Sequence, residues 1–177
     1  VASVIPVIID PETTFITLET TFKFDSNQTT KDISTIETNV INAISSYNTD
    51  TLENFTGMFR YSAITKTIDE SDTSILSNIT KVKMYKFITP TLNNGTKYTL
   101  SFNNAFFNPH SGHNSAAGGV VSSTGFKISG DDTNEHFLDD DGAGNVRVYY
   151  LSGTTRIYTD STYGTIDYTN GEIILTS

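Results

Sequence analysis

Only one long stretch of this chain spaces its apolar residues like the stripe of a helix. Ile33, Ile36, Val40, Ile41, Ile44 and Tyr47 recur at intervals of three and four, the repeat of a single helical face. Beyond Gly95 no such period is visible. The chain must therefore fold with its main helix in the first half and with strands in the second. The helix is expected over Thr30 to Tyr47, with Thr29 and Asp32 offering a capping start. Its opposite face is Ser, Thr and Asn, which are poor helix formers, so packing against a sheet has to hold it.

Around that helix the remaining patterns read as strands and turns. Thr14 to Asp25 alternates, with Ile16, Leu18, Phe22 and Phe24 on one side, as a strand with one buried face does. After Leu52, Phe55 and Gly57, Met58 to Tyr61 is a short extended candidate, and Ser62 can cap a brief helix carrying Ile64 and Ile68. Ile75 to Ile88 reads as a long strand whose pattern slips near Tyr85. A bulge or an edge position guarded by lysines would explain the slip. Thr89-Pro90 and Asn93-Asn94-Gly95 mark a break. Beyond it, Lys97 to Phe102, Gly125 to Ser129, Val146 to Leu151, Thr155 to Thr159, Gly164 to Tyr168 and Glu172 to Leu175 are short strands. Leu151-Ser-Gly-Thr and Tyr168-Thr-Asn-Gly171 supply hairpin turns. Asn104 to Ser123, rich in Asn, Ser, Ala and Gly, reads as a long loop.

The expected fold class is therefore α+β. A small strand-helix-helix-strand layer over residues 1–89 is followed by an all-β meander or sandwich over 90–177, carrying the loop 104–123. A chain of 177 residues can bury a core without staples. Its hydrophobic fraction of 36% is low, but 11 Phe and 9 Tyr let a few positions fill that core.

Charge and composition narrow the function. The net charge of −9 gives phosphate backbones and anionic lipid surfaces little to bind, so neither nucleic acid nor membrane is an expected partner. With no cysteine, thiolate metal sites, cysteine nucleophiles and disulfide scaffolds are excluded. No run approaches the roughly 20 apolar residues that span a bilayer. The opening VASVIPVIID lacks the basic region of a signal peptide, and it lacks an initiating Met, so a fragment of a longer protein is expected.

Candidate chemistry is thin. His110 and His113 could chelate a metal, but no third ligand follows at a fixed spacing and a loop gives no rigid geometry. Asp139-Asp140-Asp141-Gly142, with Asp131 and Asp132 nearby, invites a calcium reading. The EF-hand pattern then fails, because Ala143 and Tyr150 stand where oxygen ligands are needed. A turn between strands explains Asp141-Gly142 and Gly144-Asn145 without metal. There is no Gly-x-Ser-x-Gly elbow and no phosphate-cradling glycine loop. The chain also has no Trp, a common sugar platform. The sequons at Asn27, Asn54, Asn78 and Asn94 are what an Asn- and Thr-rich chain produces by chance. No enzyme, no cofactor and no metal is expected.

Two places carry a resemblance to a family. A strand ends in Phe22-Lys-Phe-Asp25 and is followed by a Thr-rich amphipathic helix closing on Tyr47. A linker then reaches a Phe, then Phe59-Arg-Tyr-Ser62, then a short helix with Ile64 and Ile68. Near the end, YGTIDYTNGEIILTS (Tyr163 to Ser177) carries a Gly-x-x-Asp-Tyr-x-x-Gly-x-Ile-x-Leu hairpin. Together these cover about half of the chain and resemble the C-terminal part of baseplate wedge proteins of T-even-type contractile-tailed phages, a baseplate J-like family. The resemblance implies a structural virion protein of the tail baseplate, assembled in the host cytoplasm. It would form dimers, bind other baseplate subunits and join neighbouring wedges into a ring, with no catalytic residues to inherit. An Asn- and Thr-rich surface suits wide polar interfaces.

The alternative is a receptor-binding tail fibre or adhesin-type binding module, also β-rich and Asn/Thr/Gly-rich. A carbohydrate-active enzyme would need convergent carboxylates that no motif places. The expected interface is the strand edge bearing Lys81, Lys83 and Lys86 together with Phe106 and Phe107, since open edges invite added strands.

Overall fold

The computed structural model describes residues 12–54, 56–91, 94–113 and 119–176. The opening VASVIPVIID, Phe55 of the expected linker and Asn93 of the expected break lie outside them. The described residues form a mixed α+β fold, with two α-helices and eight strands in two antiparallel sheets among them. The chain divides into two compact units, Val1–Tyr85 and Lys86–Ser177. No helix among the described residues is long and apolar enough to cross a membrane.

The first unit is a two-stranded sheet with helices packed on one side. β1 (Phe15–Phe24) pairs antiparallel with β2 (Ile75–Tyr85), Phe15 opposite Tyr85 and Thr20 opposite Thr80. Every second residue of β1 is half-buried, as alternation predicts. Leu18, Phe22 and Phe24 pack on a core of Ile36 and Val40 from α1 (Ile33–Tyr47), Ile64 and Ile68 from α2 (Tyr61–Asp69), and Ile75. Of the helical stripe, Ile33 and Ile41 stay exposed, because Ile33 sits at the helix start and Ile41 lies at the margin of the buried face.

Several local expectations are corrected here. Asp32 alone caps α1, its Oδ1 accepting from Thr35 N at 2.8 Å, while Thr29 Oγ1 accepts from Lys31 N. The helix then begins at Ile33 rather than Thr30, since the cap residue itself is extended. Ser62 lies inside the first turn of α2, and Arg60 stands at its N-cap position without a side-chain cap. Met58 to Arg60 forms no strand, although the backbone at Arg60 is extended. The irregularity of β2 lies at its start: the register shifts between Lys23 and Phe24, leaving Leu76 as the extra residue. The strand simply ends at Tyr85, and its outer edge has no ladder partner among the described residues.

The second unit is one six-stranded antiparallel sheet in the order β3-β8-β7-β6-β5-β4. Its strands are β3 (Lys97–Ser101), β4 (Phe126–Ile128), β5 (Asp131–Asp140), β6 (Asn145–Ser152), β7 (Thr155–Asp167) and β8 (Glu172–Thr176). From β4 to β8 each strand pairs with the next in sequence, so of the two expected arrangements the chain takes the meander. Both expected hairpin turns form, with Gly153 and Gly171 at positive φ. Gly171 is obligatory twice over, because a Cβ there would sit 1.8 Å from Asn104 O. The core of this sheet holds Val146, Val148, Ile166, Ile173, Leu175 and Phe102.

Candidate functional site

The turn expected at Asp141-Gly142 and Gly144-Asn145 forms between β5 and β6, while the two aspartates before it belong to strand β5, which the sequence did not suggest. Asp139 and Asp140 close β5, and both are buried, at 1% and 0% exposure. Only Asp141 belongs to the turn, where its carboxylate accepts from Ala143 N, Asn145 N and Asn145 Nδ2. Successive strand residues point to opposite faces, so the two buried carboxylates meet different partners.

Asp139 anchors an arginine-tyrosine network on one face. Its Oδ1 accepts from Arg147 Nε at 2.9 Å, and its Oδ2 accepts from Arg156 Nη1 at 2.7 Å and Tyr158 Oη at 2.9 Å. Arg147 is the direct cross-strand neighbour of Asp139. The guanidinium of Arg147 also lies over the Tyr158 ring at 4.3 Å, and that of Arg156 lies over Tyr149 at 4.7 Å. Phe137 stacks on Tyr149 at 5.7 Å. Burial raises the Tyr158 hydroxyl above its ordinary pKa, and its bond to Asp139 adds to this. The hydroxyl donates to the carboxylate.

Asp140 faces the other way and is held by neutral donors. Val121 N donates to its Oδ1 at 2.7 Å, while Tyr168 Oη at 2.5 Å and Gly142 N at 3.2 Å donate to Oδ2. Burial and then Asp140 push the Tyr168 hydroxyl far upward. Gly119, at φ +75°, leaves room for this carboxylate: a Cβ there would fall within 2 Å of it. These contacts tie the loop around Val121 to the sheet. Every partner of both aspartates is a hydrogen-bond donor, so the arrangement holds strands and loop in register.

In the first unit Asp72 does the same work. Lys31 Nζ at 2.6 Å, Asn39 Nδ2 at 3.1 Å and Ser74 N and Oγ all donate to its buried carboxylate. Lys31 first, then Ser74, hold its pKa well below the usual carboxylate range.

The histidines behave as a local pair. His113 Nδ1 and His110 Nε2 are 3.1 Å apart in a hydrogen bond, and Phe107 meets His113 edge-on at 5.7 Å. No group of three His, Cys, Asp or Glu among the described residues is placed to hold a metal ion. His136, which drew no notice in the sequence, is buried between Phe126 and Tyr150 with Nε2 at 3.5 Å from Asp131.

The residues expected to form an interface fall in both units. Lys81 and Lys83 share the outer, exposed face of β2, and Lys81 Nζ lies 3.6 Å from Glu19, its cross-strand partner. In the second unit Lys86 sits 5.9 Å over the Phe102 ring, and Phe102 meets Phe106 edge-on at 5.2 Å. That brings Lys86 and Phe106 together around Phe102. Phe107 points outward, 73% exposed. The Asp139 network escaped sequence reading because its members lie on three strands. The available signal was the recurrence of Arg and Tyr at alternate positions of β6 and β7.

No curated protein matches the chain. Residues 12–87, less than half of the chain and nearly the whole of the first unit, match the family model described as baseplate structural protein gp6, C-terminal domain III, and this supports a structural role in a phage tail baseplate.

Proposed function

We propose that this chain is a structural subunit of the baseplate wedge of a contractile-tailed phage, related to the baseplate J-like proteins, and that it works by protein–protein contact rather than catalysis. In this reading residues 1–89 form the baseplate module and 90–177 a β-rich extension. The chain binds other baseplate subunits and self-associates as a dimer within the ring that surrounds the tail hub. It assembles in the host cytoplasm and resides in the virion. Its contacts run through Lys81 and Lys83 in the first unit and, separately, through Lys86, Phe106 and Phe107 in the second.

The observation that carries the proposal is the match of residues 12–87 to the gp6 C-terminal domain III family. The β1–β2 sheet adds a physical reason. Its outer face exposes Phe15, Leu76, Ile79 and Tyr85, with Phe15 and Tyr85 stacked at 5.2 Å. Aromatic and aliphatic residues on an open sheet are typical of surfaces that receive a partner.

The test is disruption of the gene, followed by electron microscopy and mass spectrometry of the particles produced. The proposal expects tails without a complete baseplate ring, restored by the full protein supplied in trans. Infectious particles with intact baseplates that never contained this chain would overturn it.

A further inference from the structure

We propose that the outer face of the β1–β2 sheet, around Lys23, Ile79, Lys81 and Lys83, docks an acidic segment of a different baseplate protein. The inference rests on the reading of the chain as a baseplate subunit. It names the chemistry of one partner and the residues that meet it.

The face is positive on a negative chain. Glu19 lies opposite Lys81 and Thr21 opposite Ile79, with Lys83 flanking this block at one end and Lys23 at the other. All six residues are exposed, because the opposite side of both strands packs on the core that α1 and α2 supply. Three lysines against one glutamate leave a surplus of positive charge, whereas the chain as a whole carries −9. Lys81 reaches Glu19 at 3.6 Å with both side chains about 70% exposed. A pair so open to water is held weakly, which leaves Lys81 available to a second carboxylate. Lys23 and Lys83 have no ion-pair partner among the described residues.

Lysines alone would be a guard against strand addition. Ile79 makes the face more than that, for it stands 71% exposed among them. An apolar side chain ringed by like charges suits a contact in which the apolar group is dehydrated and ion pairs at the rim set the register. Same-face positions on a strand are about 7 Å apart. The partner therefore presents carboxylates at that spacing to Lys81 and Lys83, beside an apolar contact for Ile79. Charge also decides among occupants. A two-fold sets a patch against itself, and this patch on a second copy would bring lysines to lysines. Nucleic acid and anionic lipid find only three lysines here, on a chain whose net charge repels them. A protein segment rich in Asp and Glu meets the face without that conflict. The face is smaller than a standard interface, so the contact adds to others within an assembly.

The test uses intact tails. A carbodiimide joins lysine amines to carboxylates in contact with them, and mass spectrometry maps the products. Lys81 or Lys83 should be joined to an Asp or Glu of a different protein. No such product, or products only with Glu19 or with another copy of this chain, would overturn the inference. A second arm carries Lys81→Glu and Lys83→Glu together in the full chain, with far-UV circular dichroism matching the parent. In particles assembled from an equal mixture of parent and variant, the variant should be about tenfold under-represented, as the loss of two exposed ion pairs predicts. Replacing the cross-linked acid of the partner by Lys should restore equal incorporation. Equal incorporation at the outset, or a deficit that the partner's reversal leaves unchanged, would overturn the inference while the baseplate reading stands. Absence of this chain from purified tails would instead bring down the baseplate reading itself.

Discussion

Replacing Asp139 with Asn would strip the charge from a carboxylate that three side chains converge on, while keeping its size. Two of its three partners are guanidiniums, at 2.9 and 2.7 Å, and the third is the Tyr158 hydroxyl at 2.9 Å. Breaking a fully buried ion pair by removing one partner costs about 3–5 kcal/mol. Here the arginines are not fully sequestered, with side chains 15% and 36% exposed, so solvent recovers part of that cost. An amide can still accept one hydrogen bond. The expected loss for Asp139→Asn is therefore about 2–3 kcal/mol. Equilibrium urea unfolding, followed by tyrosine fluorescence, would show a lower midpoint at an unchanged slope. The loss should persist at 1 M salt, where exposed pairs are screened. A change below about 0.5 kcal/mol, the usual range of a surface substitution, would refute the argument that this network fixes the sheet.

Two further changes test the remaining anchors. The Asp72 pKa is depressed in the folded state, so its contribution is present above the ordinary carboxylate value near ~3.9 and is lost as pH falls through the lower folded value. The unfolding midpoint of the parent should therefore exceed that of Asp72→Asn at pH 7, and the gap should narrow steadily below about pH 4. Gly171→Ala combines a positive φ with a Cβ 1.8 Å from Asn104 O. It should cost at least about 1–3 kcal/mol, read as a lowered thermal midpoint.

Local pattern alone was enough for much of the fold. The helical stripe, the alternation of β1 and the two Gly-containing turns each depend on residues within a few positions of one another, where periodicity and turn chemistry speak directly. The same locality explains the errors. Whether Thr29 or Asp32 caps α1 depends on which side chain reaches Thr35 N, and the position of the β2 bulge depends on the register with β1.

The aspartates show the boundary most clearly. In sequence, Asp139-Asp140-Asp141-Gly142 is indistinguishable from a polar turn, because acidic residues pay a heavy desolvation cost unless donors meet them. The donors that do so come from 8, 17 and 28 residues away, on Arg147, Arg156 and Tyr168. The sequence by itself determined most of the elements, though not β5, and with them the α+β class and the absence of cysteine chemistry. Only the tertiary structure decided which charges are buried, which strand edges are left open and which residues face one another across the paired strands. Those are relations between distant segments, and no local period encodes them.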